Sequence, residues 1–112
     1  MIDQNLIKGS TTLLIMQLLK QEDMYGYQMI EELRIKSKNI FELKAGTLYP
    51  LLHTMEQNEI VEAYETEANG RIRKYYHLTA KGIKLLSEKK AEWSLYASSM
   101  SDVLGGLSFA EA

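Results

Sequence analysis

The sequence predicts a mainly α-helical chain with one small β-hairpin, in the order helix, helix, helix, hairpin, long helix. Three observations carry that expectation. Apolar residues recur at helical spacing over much of the chain, as in Gly26, Met29, Ile30 and Leu33 at i, i+3, i+4 and i+7. The period changes to two between Arg71 and Leu78, directly after Asn69-Gly70, the pair best able to take positive φ at both central positions of a tight hairpin turn. Thr79 then stands as an N-cap before a run in which Leu86, Trp93 and Met100 recur every seven residues and which Gly105-Gly106 closes.

Composition bounds what such a chain can be. Its 112 residues, 46% hydrophobic and 25% charged, suffice for one modest core and no second one. The sequence contains no cysteine, which excludes a disulfide scaffold, a thiol nucleophile and a zinc site built on thiolates. The longest apolar run, Leu13 to Met16, falls far short of the roughly 20 residues that span a bilayer, and no segment reads as a secretory leader. A cytoplasmic protein with no membrane partner is expected. The net charge is −2, yet its distribution is uneven. Glu22 to Glu67 holds ten acidic residues against four basic, whereas Arg71 to Lys90 holds seven basic against one acidic. That asymmetry fits an anion-facing edge on an otherwise acidic protein.

Each element has its own signature. Asp3 to Lys20 is apolar at Leu6, Leu13, Leu14, Ile15, Met16, Leu18 and Leu19, which cover more than one helical face and predict burial on two sides, in part against a partner chain. Met24 to Ser37 is a one-sided amphipathic helix for which Asp23 is the expected N-cap. Ala45 to Asn58 turns Leu48, Leu51, Leu52 and Met55 inward, and Pro50, which lacks an amide hydrogen, predicts a regular helix from Gly46 or Thr47 or else a distorted first turn. Ile60 to Thr66 and Arg71 to Leu78 form the hairpin, with Ile72, Tyr76 and Leu78 on one face and Arg71, Arg73, Tyr75 and His77 on the other. Leu86, Trp93 and Met100, with Ile83, Lys90 and Ala97 at the alternate steps, form a coiled-coil-type seam for a second subunit, to which Leu14 and Leu18 of the first helix are added. Residues 1–79 would then form a helix-turn-helix with its hairpin and residues 80–112 a dimerisation helix and tail, all in one compact domain.

The inventory for catalysis is poor. His53 and His77 fall on different elements with no carboxylate at ligand spacing, and no glycine-rich phosphate loop is present, so no catalytic residue, metal site or cofactor is expected. Duplex DNA fits better. An α-helix enters the major groove, and the second helix of a helix-turn-helix presents its N-terminal end there. That end offers Lys44, Thr47, Tyr49 and Pro50, with His53 a turn further on and no carboxylate among them. The hairpin beside it is the expected wing, turning at Asn69 and Gly70, whose tip carries Arg71 and Arg73, with Lys74 on the adjoining face, and can track phosphates or enter the minor groove. Two-fold symmetry would call for a pseudo-palindromic operator with half-sites roughly 10 base pairs apart. Glu62, Glu65 and Glu67 on the first hairpin strand keep open a second reading, a winged-helix interaction or ligand-binding module that does not touch DNA.

Three stretches, Tyr25-Gly26-Tyr27, Gly46-Thr47-Leu48-Tyr49-Pro50-Leu51-Leu52, and Arg71 through Tyr76 followed by Leu78-Thr79-Ala80-Lys81-Gly82, resemble the PadR family of bacterial transcriptional regulators. The resemblance spans about Leu6 to Met100 and is to the compact members with a single C-terminal helix. It implies a winged helix-turn-helix homodimer joined through its terminal helices, with Thr47–Pro50 at the major groove and Asn69-Gly70-Arg71 at the backbone or minor groove. It also implies a repressor relieved by a small aromatic ligand or another signal. Trp93 matches the tryptophan that stacks planar ligands at the dimer centre of multidrug-responsive members, and it either lines such a pocket or fills the seam.

Overall fold

The computed structural model describes residues 9–106. The chain folds as α1 (Thr11–Gln21), β1 (Met24–Tyr25), α2 (Gly26–Lys36), α3 (Ala45–Gln57), β2 (Val61–Ala68), β3 (Arg71–Leu78) and α4 (Ala80–Val103). The three strands form one antiparallel sheet in the order β1-β3-β2. This is the mainly helical, winged helix-turn-helix architecture that the sequence predicts, with one strand more than the hairpin supplies.

The hairpin forms as expected. Asn69 and Gly70 both take positive φ, 55° and 76°, and the register runs from Ala68 opposite Arg71 at the turn to Val61 opposite Leu78 at the base. Thr79 caps α4: its hydroxyl accepts from the Gly82 amide at 3.0 Å while its own hydrogen reaches the Glu59 and Ile60 carbonyls at 2.7 and 3.0 Å. At the far end the Gly106 amide reaches back to the Ser101 carbonyl, with Gly105 and Gly106 at φ 86° and 83°. Helices α2 and α3 close by the same wrap of amides onto carbonyls, but Lys38 and Glu59 hold the left-handed position there, at φ 55° and 61°.

Several expectations need correction. The first helix begins at Thr11, after a turn at Gly9-Ser10, and the part of the expected helix before Gly9 lies outside the described residues. Met24 and Tyr25 are not helical but pair with Tyr76 and Tyr75 as β1, so α2 starts at Gly26 with Tyr25 at its N-cap. Asp23 is therefore no cap; its carboxylate is committed to the sheet. Helix α3 begins at Ala45, where the apolar pattern starts, and carries Pro50 inside it, so of the two outcomes expected from Pro50 the later start is not the one taken. Ile72 shares a strand face with Tyr76 and Leu78 but is 73% exposed, because the body of the molecule does not reach the hairpin tip.

The core gathers Ile15, Met16, Leu18 and Leu19 of α1, Met29 and Leu33 of α2, Leu48, Leu52 and Met55 of α3, Val61, Tyr76 and Leu78 of the sheet, and Leu86 of α4. Fully burying one such aliphatic side chain is worth about 1.5–3 kcal/mol, so this cluster holds the head together. Leu18 and Leu86, expected at an interface between chains, are 3% and 1% exposed inside this chain's own core. Sevenfold spacing gives the face of a helix but not what covers it, and here α1 and α4 pack on each other. Helix α4 approaches the start of β2 so closely that a Cβ at Gly82 would collide with the Ile60 carbonyl and the Leu78 side chain.

Candidate nucleic-acid interface

Helix α3 separates its faces cleanly. At 100° per residue, Leu48, Leu52 and Met55 face the core, while Gly46, Pro50, His53 and Gln57 point away from it with Thr47 and Thr54 alongside. Lys44, Thr47, Tyr49, Pro50 and His53 are all exposed. No side chain caps the helix and its first turn holds no acidic residue, so no carboxylate there competes for an anion. The outward array follows from periodicity, and Gln57, one turn beyond His53, extends it past the expected site residues.

The hairpin has two distinct parts. Its base is tied down on the solvent-facing side of the sheet. There Tyr75 stacks on Tyr64, with ring centroids 5.8 Å apart, and meets the Tyr25 ring edge-on at 5.4 Å. The Tyr64 hydroxyl donates to Asp23 at 2.7 Å, and His77 Nδ1 lies 2.8 Å from the other carboxylate oxygen, a contact that requires the hydrogen on Nδ1 when Asp23 is ionised. Burial works to raise the Asp23 pKa, but the bonds from Tyr64 and His77 outweigh it and hold the carboxyl below its ordinary value. The same bond to Asp23 pushes the Tyr64 hydroxyl upward.

Among the described residues no third strand accompanies the hairpin beyond Tyr75. Residues Asn69, Gly70, Arg71 and Ile72 are exposed at the free end. The remaining two cations differ from expectation in their surroundings. The Arg73 guanidinium lies over the Tyr25 ring, 4.4 Å from its centroid, and Lys74 pairs with Glu56 of α3 at 3.8 Å. On the neighbouring strand Glu65 stands opposite Lys74, Glu62 opposite His77 and Glu67 opposite Ile72, so of the three carboxylates Glu65 faces a lysine across the strands.

The expected interface residues of α4 divide as well. Leu86 is in the core, whereas Trp93 is 52% and Met100 39% exposed, and Leu14 of α1 is half-buried against the core. Trp93 and Tyr96 form a tilted pair with ring centroids 5.7 Å apart. With Ala97, Met100, Val103 and Leu104 they make one apolar stripe that continues the line of Leu86 outward. Among the described residues no group of His, Asp or Glu is arranged to hold a metal ion, and no helix is long and apolar enough to cross a membrane.

A two-helix reader beside a three-stranded sheet with a projecting hairpin defines a winged helix-turn-helix protein. The sequence pattern of the transcriptional regulator PadR-like family matches residues 15–88, and the chain belongs to that family. It is similar to the structure of a transcriptional regulator from Clostridium thermocellum, with a TM-score of 0.82 and 32% identity over 88% of this chain and 96% of that one. It is also similar to the crystal structure of a PadR-like transcriptional regulator from Bacillus cereus, with a TM-score of 0.80 and 30% identity over 92% of this chain and 99% of that one. A transcriptional regulator of Mycobacterium tuberculosis is 28% identical over 101 residues, 90% of this chain and 89% of that protein. The protein is thus a transcriptional regulator and not an enzyme.

Proposed function

We propose that the chain works as a homodimer that recognises a pseudo-palindromic operator and represses transcription from it. The observation that carries this reading is the exposed, acid-free N-terminal half of α3, set in the same head as a hairpin whose free end bears Arg71. Lys44, Thr47, Pro50 and His53 would meet the major groove, while Asn69, Gly70 and Arg71 would reach the backbone or minor groove, with Arg73 behind them. The apolar stripe of α4 supports the dimer, because a row of Trp93, Tyr96, Met100 and Leu104 on one side of a helix is covered well by a second copy of itself. The adjoining rings of Trp93 and Tyr96 favour relief by a planar aromatic ligand held between subunits.

A gel shift with the fragment upstream of the chain's own gene, at two salt concentrations, tests the reading. Site-preferring, salt-sensitive retardation is the expected result. No retardation at low salt would overturn it in favour of an interaction module. Trp93 is the sole tryptophan, so quenching of its emission by a planar dye, coupled to release of DNA, tests the effector step.

A further inference from the structure

We infer that Tyr49 is a positioning residue, seated on Gly26 to set the tilt of α3, and that it does not read the DNA. The inference rests on α3 being the reading helix. Tyr49 and Glu56 are seven residues apart and share one flank of α3, between the inward row and the outward row. Neither points straight away from the core as Pro50, His53 and Gln57 do.

Along that flank both side chains engage the rest of the head. The Tyr49 ring and hydroxyl lie over Gly26, the first residue of α2. A Cβ there would stand 2.7 Å from Cζ and 2.9 Å from Cε1, closer than atoms pack, and closer still to the hydroxyl. Gly26 is buried and carries no positive φ, so its small size, not its backbone freedom, is what the position uses. One helical turn below the middle of α3, Glu56 meets Lys74 of β3, whose ammonium also sits 5.6 Å from the Tyr76 ring centroid. The exposed ion pair contributes little energy alone. It does show that this flank touches α2 and β3 while it still meets solvent, Tyr49 being 48% exposed. The paired glycine and tyrosine therefore fix how far α3 leans from α2, and with it where Thr47, Pro50 and His53 point. A misplacement of about 1 Å in such a constellation is costly to recognition, as it is in any preorganised site.

The test uses the full chain and the upstream fragment, with a scrambled duplex as reference. Tyr49→Phe keeps the ring on Gly26 and removes the hydroxyl; affinity within about twofold of the parent and an unchanged preference for the fragment are expected. Gly26→Ala forces the ring away and should weaken binding to the fragment. In a Tyr49→Ala background the added methyl group has nothing to displace, so the two changes should be non-additive by about threefold or more in affinity. Far-ultraviolet dichroism confirms that the variants are folded. Loss of fragment preference in Tyr49→Phe would overturn the inference, since only a hydroxyl contacting DNA predicts it. Additive effects of Gly26→Ala and Tyr49→Ala would overturn it as well. If the parent chain itself retards no duplex at low salt, the reading of function falls instead, a result distinct from either.

Discussion

The hairpin and the last helix are built on the same plan: each has one end locked into the head and one end free, but the free ends differ in kind. The hairpin base buries Tyr76 and Leu78 and is braced through Asp23, while its tip exposes Asn69, Gly70 and Arg71. Helix α4 buries Gly82 and Leu86 at its start, while its second half exposes Trp93, Tyr96, Met100 and Leu104. A free cationic tip is stable in water and gains by meeting an anion. A free aromatic stripe is costly in water and gains by meeting another apolar surface. The same construction thus presents two surfaces that call for different partners, one charged and one greasy.

The contrast can be broken at four points. The largest effect belongs to the locked end of α4: Leu86→Ala should cost about 2–5 kcal/mol in urea unfolding, as other buried leucine truncations do, whatever the protein concentration. At its free end, Trp93→Glu should leave the head folded but weaken self-association about 30-fold or more, the size of an interfacial hot spot, with sedimentation moving toward the monomer mass. An unchanged dimer would show that the chains meet elsewhere. At the free end of the hairpin, Arg71→Ala should weaken binding to many sequences alike and flatten the dependence of log affinity on log salt by about 0.9 for one lost phosphate contact.

The smallest effect lies at the locked end of the hairpin. Because the folded Asp23 pKa is depressed, its brace is fully present above the ordinary carboxylate range and is lost as pH falls through the lower, folded value. Asp23→Asn should therefore reduce stability near neutrality by no more than about 1 kcal/mol, as for other solvent-screened contacts, and the gap from the parent should close in acid. Urea titrations at pH 7 and pH 3 check both statements. A gap that widens in acid would mean that the aspartate is not the acceptor in this network.

Much of the frame was legible because it depends on local chemistry. Asn69-Gly70 announces a tight turn by its tolerance of positive φ, and Thr79 and Gly105-Gly106 announce the two ends of α4. The features that stayed hidden depend on chain segments far apart. Two residues are too few to show alternation, so Met24 and Tyr25 become a strand only because Tyr76 and Tyr75 offer their backbone some fifty positions later. Asp23 looks like a cap in isolation and turns out to bond Tyr64 and His77. Lys38 and Glu59 end helices where glycine would mark the end openly, so neither terminus carries a visible flag. In the candidate site, the outward row of α3 follows from periodicity, but the seating of Tyr49 on Gly26 and of Lys74 on Glu56 does not.

A single residue, Thr79, separates the last strand from the long helix, and its hydroxyl ties the first turn of α4 to the Glu59 and Ile60 carbonyls just before β2 while Gly82 sits flush against the Ile60 carbonyl. Such a joint has no slack. The far tip of α4 acts as a lever arm about 36 Å long at 1.5 Å per residue, welded to the hairpin it follows. Swinging that arm by a few degrees would carry the whole head with it, so in the proposed dimer whatever wedges two such arms apart would alter the distance between their heads without needing to bend anything inside them.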